Sequence, residues 1–204
     1  MVRLRRVFAA GLVAGVVVGA VGAASDGQSP PTYPATQAPA PLQPMVRHAD
    51  LIIATLQDAL LSELHRRLDI ADPAEALDAC HLAAIPVAQR TARYEGVTVG
   101  RTSARLRNPA NAPPAWAVPI VERYADQPRA KVDGFVVDLG DRVGVLRPIR
   151  QQPICASCHG PEPTLSPGVR LRLAKRYPED RAVGFRTGDI RGWFWVDVPR
   201  TPRR

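Results

Sequence analysis

Cys155-Ala156-Ser157-Cys158-His159 sets the task that the rest of the chain must fold around. The spacing C-x-x-C-H is the attachment signature of a c-type haem. Each residue has a chemical job in that reading. The two thiols add to the two vinyl groups of the haem, and a gap of two residues lets both sulfurs reach them from one short turn. His159 follows at once and is placed to ligate the iron as the proximal ligand.

Two other uses of a C-x-x-C pair fit less well. A redox dithiol calls for a cytosolic βαβ context. A structural zinc site calls for two more closely spaced ligands. The third cysteine of the chain is Cys80, and the remaining histidines are His48, His65 and His81. Apart from the adjacent Cys80-His81, these supply no second short-spaced pair.

The N-terminus points to export. Arg3, Arg5 and Arg6 precede an uncharged run from Val7 to Ala24 that ends in Gly22-Ala23-Ala24. That is a positive n-region, an apolar h-region and a small-residue cleavage site. The run also lies at the lower edge of a membrane span, so residues 1–24 are read as a signal peptide or an N-terminal anchor. The arginines match the positive-inside orientation. A periplasmic or other extracytoplasmic location follows, soluble or tethered, and it suits covalent haem. Residues 25–45 are read as a Pro-rich linker with no means of building a core, since Gln28 to Pro44 holds six prolines. That leaves residues 46–200 as one domain.

The net charge is +8, and three of the basic residues lie in the leader, so +5 remains beyond Ala24. In an exported chain this is read as a solvated or propionate-facing surface. It is not read as a nucleic-acid footprint. With two cysteines assigned to haem, Cys80 has no intramolecular disulfide partner. It is buried and inert, paired between chains, or bound to a metal.

The hydrophobic pattern predicts a mixed α+β fold. Val46 to Leu68 reads as a helix with Leu51, Ile52, Leu56, Leu60 and Leu64 on one broad face. A second helix starts at Asp72, with Pro73 in its first turn, Glu75 completing a capping-box pattern, and Leu77, Cys80, Ala84 and Val87 at helical spacing. Val97 to Ser103 reads as a strand. Ala115 to Tyr124 reads as a short helix. Val132 to Leu139 and Val143 to Ile149 form a hairpin about Gly140-Asp141. Ser166 to Tyr177 is a helix, and Ile190 to Val198 is a strand.

The order of pieces is a helix bearing a lone cysteine, a small sheet, Cys155 to Gly160, Tyr177-Pro178 with Asp180, Gly184-Phe185, and Gly188-Asp189 with Arg191-Gly192. It resembles the bacterial and cyanobacterial c-type haem domain with a PAS-like fold, over roughly residues 50 to 198. The resemblance implies a PAS-like antiparallel sheet flanked by helices and carrying one covalent haem. It also implies an iron ligated by the motif histidine, here His159, and by a helix cysteine, here Cys80. Members of that family occur alone or ahead of signalling modules. This chain stops at Arg204 with no output module, which sets the expectation against a one-piece signalling role.

The residues speak independently to the sixth ligand. The only methionines are Met1 and Met45, one in the leader and one at the end of the linker, so His/Met ligation is not expected. Cys80 and His81 are helical neighbours about 100° apart, so they cannot both face one iron. Arg191 is a candidate partner for a haem propionate. Two strong axial ligands leave no open position at the metal. That favours low-potential electron transfer or redox sensing with a protein redox partner over an enzyme that turns over at the iron. A haem-based NO or CO sensor is the alternative, and a class II four-helix cytochrome is the alternative fold.

Overall fold

Val196 and Val198 are buried between half-buried neighbours along Ile190–Pro199, the period-two pattern of a strand with one face in a core. In the computed structural model, which describes residues 29–82 and 96–201 and leaves the side chains of residues 78–82 outside the description, this strand anchors a five-stranded sheet. The strands are β1 (Thr32–Pro34), β2 (Thr98–Thr102), β3 (Phe135–Asp138), β4 (Arg142–Arg150) and β5 (Ile190–Pro199). Their order is β1-β3-β4-β5-β2, antiparallel throughout. The α+β expectation holds at this level.

The long ladder joins β4 to β5, from Arg142 opposite Pro199 to Arg150 opposite Ile190, with an irregularity between Ile149 and Arg150. The β3–β4 hairpin turns at Gly140, whose φ is +86°. Asp138 accepts a hydrogen bond there from the Gly140 N–H at 3.0 Å. The strand begins at Phe135 rather than Val132, because Gly134 bends the chain with φ +123° and a Cβ at that position would stand 2.1 Å from the Leu146 carbonyl.

Two layers of side chains cover the sheet. The helix α1 (Gln43–Leu68) lays Val46, Ala49, Ile52, Ile53 and Leu56 against one face, where Val136, Val145, Phe194 and Val196 wait. The other face is covered by α3 (Val118–Arg123), with Ile120 and Val121 over Phe135, Leu146 and Trp193. Leu51, expected on the apolar face of α1, is 70% exposed. At 100° per residue it sits one step round from Ile52, beyond the edge of the stripe.

The helix α2 (Pro73–Leu82) starts where the sequence places it. The Asp72 carboxylate accepts from the N–H groups of Ala74 at 2.6 Å and Glu75 at 3.1 Å, which satisfies two of the orphan donors of the first turn. Ala84 and Val87, expected further along this stripe, lie outside the described residues, as does the leader. The helix α4 (Ala156–His159) is a single turn, and α5 (Pro167–Arg176) is capped by Ser166, which accepts from the Val169 N–H.

The reading of residues 25–45 as an unpacked linker is corrected from Thr32 onward. Thr32–Pro34 pairs with Phe135–Val137 as an edge strand, and the Asp138 N–H donates to Pro31 O at 2.9 Å. Leu42 is 2% exposed in the same core as α1. Proline cannot donate to a ladder, but an edge strand does not need every donor. Composition also gives no weight to two apolar anchors, Ala38 and Leu42, seated under the helix they lead into. The packed unit therefore starts near Thr32, not at residue 46.

Leu42→Ala should cost about 2–5 kcal/mol of unfolding free energy through the cavity it leaves. Leu51→Ala should stay within about 0.5 kcal/mol. Urea denaturation of the two variants checks this, and equal effects would return the segment to a tether.

Candidate functional site

The Cys155–His159 turn sits where β4 leaves the sheet. The Gln151 N–H donates to Asp189 O at 2.8 Å, the chain bends through a 3₁₀ turn at Pro153–Cys155, and α4 follows. Gly160 closes it with an N–H bond to Ala156 O at 2.9 Å. A Cβ on Gly160 would stand 2.5 Å from that same oxygen, so the close approach requires glycine. The return segment then clamps the turn from outside. Gly184 N–H donates to Gly160 O at 2.7 Å, and Phe185 N–H donates to His159 O at 2.9 Å. Gly184 manages this with φ +81°.

The His159 ring is fixed by one bond. Its Nδ1 lies 2.7 Å from the Ala182 carbonyl oxygen. A carbonyl only accepts, so Nδ1 carries the proton in the neutral ring and Nε2 keeps a bare lone pair. Burial, then the positive charges of Arg191, Arg107 and Arg101, hold the His159 pKa well below its ordinary value. The Ala182 bond opposes this only in part. The imidazole is therefore neutral and a ready donor to a metal.

The Ala182 backbone is itself held. Its N–H donates to Asp180 Oδ1 at 2.8 Å. Arg107 pairs with Asp180 through Nε at 3.0 Å, and its Nη2 reaches Cys158 O at 2.6 Å and Ala182 O at 3.4 Å. The two side chains are 13% and 8% exposed.

A cleft opens over the motif. Ile149 and Gly192, cross-strand partners on β4 and β5, form part of its sheet wall beside Arg101. Ala76 and Leu77 of α2 and Leu64 of α1 form the facing wall. A Cβ on Gly192 would stand 2.5 Å from Thr102 O, so this wall admits nothing larger at that point. Cys155 is buried and Cys158 half-buried. Among the described residues no three His, Cys, Asp or Glu side chains converge to hold a bare metal ion. The motif groups line one shared cleft.

The cleft gathers Cys155, Cys158, His159 and Arg191 from the expected set. Cys80 lies on α2, three residues past Leu77 and four past Ala76, and its side chain, like that of His81, is outside the description. His65 is exposed on α1 and His48 half-buried there. Sequence reasoning missed Arg107 and Ala182. Arg107 lies in an arginine-rich stretch and meets its partner 73 residues away, so no local pattern marks it.

A family model described as Tll0287-like (Tll0287) matches residues 35–199. Among solved structures, the crystal structure of the cyanobacterial heme-protein Tll0287 is 24% identical, with a TM-score of 0.57, over 82% of this chain and 100% of that one. No curated protein matches the chain.

With nothing bound in the cleft, acid should act through His159. The unfolded chain takes up a proton on this residue near pH 6.5, whereas the folded chain resists it to a lower pH. Below about pH 6.5 the unfolded state thus binds more protons, and stability falls as pH drops towards the folded value. Urea midpoints at about pH 7.5 and about pH 5.5 should differ more in the parent than in His159→Gln.

Proposed function

This chain belongs to the Tll0287-like family, and on that footing we propose that it holds one covalently attached c-type haem in a PAS-like domain and works in low-potential electron transfer or redox sensing outside the cytoplasm. The observation that carries the reading is the His159 Nδ1–H bond to Ala182 O. It fixes the tautomer that leaves the Nε2 lone pair for iron, beside two cysteines at haem spacing. The similarity to a heme-protein supports the same cofactor.

The residues present fit the group. Cys155 and Cys158 would each add a thiol S–H across a vinyl double bond, the sulfur bonding one carbon and the hydrogen going to the other, so no oxidant is needed. His159 would supply the proximal ligand. The cleft gathers all three side chains. Arg191 and Arg101 line it and would face the propionates as cations. When bound, haem supplies a one-electron couple at its iron. Gly192 keeps the sheet wall low, and Ala76 and Leu77 keep the opposite wall apolar and dry.

Cys80 is the proposed sixth ligand. It shares a helical stripe with Ala76 and Leu77, since i+3 and i+4 positions lie on one face. His81 is the next position on the helix, about 100° round from Cys80, so one of the two faces the iron and not both. A metal holds a cysteine deprotonated, which accounts for a third cysteine without a disulfide partner. A thiolate favours the ferric state, whereas the cations Arg101 and Arg191 favour the ferrous. The thiolate bonds the iron directly and the guanidiniums act through space, so the ligand dominates and the potential is low. Two protein ligands leave no position for substrate, so the reading is a carrier or sensor, not an enzyme. Residues 1–24 would deliver the chain across the membrane or tether it there, to meet a protein redox partner.

Exported with a haem-attachment system, the chain should keep its haem through denaturing electrophoresis. Cys155→Ala with Cys158→Ala should abolish retention, and complete removal of haem by acid-acetone from the parent would contradict covalent binding. Cys80→Ala should turn the ferric EPR spectrum from low spin towards high spin and raise the potential, while His81→Ala should do neither. The reverse outcome would make the site bis-histidine.

A further inference from the structure

Arg107 and Asp180 form a buried ion pair whose remaining contacts all go to the backbone around His159. Asp180 Oδ1 accepts from the Ala182 N–H at 2.8 Å. Arg107 Nη2 donates to Ala182 O at 3.4 Å and to Cys158 O at 2.6 Å. Ala182 O is the same oxygen that accepts the His159 Nδ1 proton at 2.7 Å. The residue that orients the imidazole is therefore held at its N–H by a carboxylate and at its C=O by a guanidinium.

We infer that Arg107 and Asp180 are a positioning pair that sets how strongly His159 donates to the iron, and so sets the redox potential. This rests on His159 ligating haem as proposed above.

The reasoning is electrostatic. A carbonyl that accepts from Nδ1–H pulls the imidazole towards imidazolate and makes Nε2 a stronger donor. A guanidinium on that carbonyl withdraws charge from the oxygen and weakens the pull. Asp180 cancels the charge of Arg107 and at the same time fixes the Ala182 peptide. Each partner alone would thus shift the potential in its own direction. Without Arg107, the oxygen is free to pull harder and a carboxylate is left uncompensated, so the oxidised iron is favoured. Without the Asp180 charge, a lone cation stands near the site and the reduced iron is favoured. The pair is enclosed, so water screens neither charge well.

A purely structural brace behaves differently. Loosening it from either side frees the same ring, and both variants would then shift the potential in one direction.

The test is a spectroelectrochemical titration of the haem-loaded protein carrying Asp180→Asn, Arg107→Gln, Arg107→Lys and the double variant Arg107→Gln/Asp180→Asn. The inference expects Asp180→Asn to raise the potential, Arg107→Gln to lower it, Arg107→Lys to fall between parent and Gln, and the double variant to lie between the two singles. Shifts of one sign, or none, overturn it. If Arg107→Gln fails to fold, Asp180→Asn and Arg107→Lys decide: a rise with the first and a smaller change with the second upholds the pair, and no rise with the first overturns it. A parent protein that loses its haem on denaturation fails the covalent reading instead. A parent that keeps haem but shows same-sign shifts fails this inference alone.

Discussion

One hydrogen bond organises the site, from His159 Nδ1 to the Ala182 carbonyl. A neutral imidazole has one proton, and where it goes decides which nitrogen can bind a metal. Much of the segment from Tyr177 to Asp189 serves that bond. Asp180 ties the Ala182 N–H, Gly184 and Phe185 bond back to Gly160 and His159, and Asp189 accepts from the Arg186 N–H at 2.7 Å to turn the chain into β5. The scattered motif pieces thus have separate places in one return path: Asp180 holds the Ala182 peptide, Gly184-Phe185 bonds to the C-x-x-C-H turn, and Gly188-Asp189 bonds to Gln151 just ahead of it.

The sheet supplies the rigid frame for this arrangement. The β4–β5 ladder is the longest in the fold and delivers both arms of the site, the motif after β4 and Arg191-Gly192 at the start of β5. Its register irregularity falls between Ile149 and Arg150, next to the cleft, where bulges commonly re-aim side chains. The opposite wall comes from α2, which packs through Ala74 and Leu77 against Leu165, Val169 and Leu173, with Cys158 at the edge of the cluster. The motif cysteine is thereby part of a hydrophobic contact between helices.

The local grammar of the sequence was legible wherever a short-range mechanism writes it. Asp72 before Pro73 marked a helix start, Gly140-Asp141 marked the hairpin of β3 and β4, and alternation marked β5. Two readings failed for tertiary reasons. Thr32–Leu42 has a linker's composition, but an edge strand tolerates proline and Leu42 has a core to enter. Leu51 is apolar by type and solvent-facing by angle, one step round the helix from the buried Ile52. In the site, Cys155, Cys158 and His159 stood out because C-x-x-C-H is a spacing that one attachment chemistry dictates, and the fold brings the three to one cleft. Arg107 did not, because its role is set by a contact 73 residues away and by backbone atoms that carry no sequence signature.

The balance of charges gives the account its energetic shape. Burial and three arginines keep the His159 ring neutral, and the carbonyl bond, which by itself favours the charged form, fixes which nitrogen carries the one proton. The most direct test is the state of that ring. In ¹⁵N-histidine-labelled protein, NMR should find the His159 proton on Nδ1, slow to exchange, with Nε2 unprotonated at neutral pH. A proton on Nε2 and a bare Nδ1 would contradict the account at its root, because the nitrogen left to bind iron would be the one turned towards Ala182.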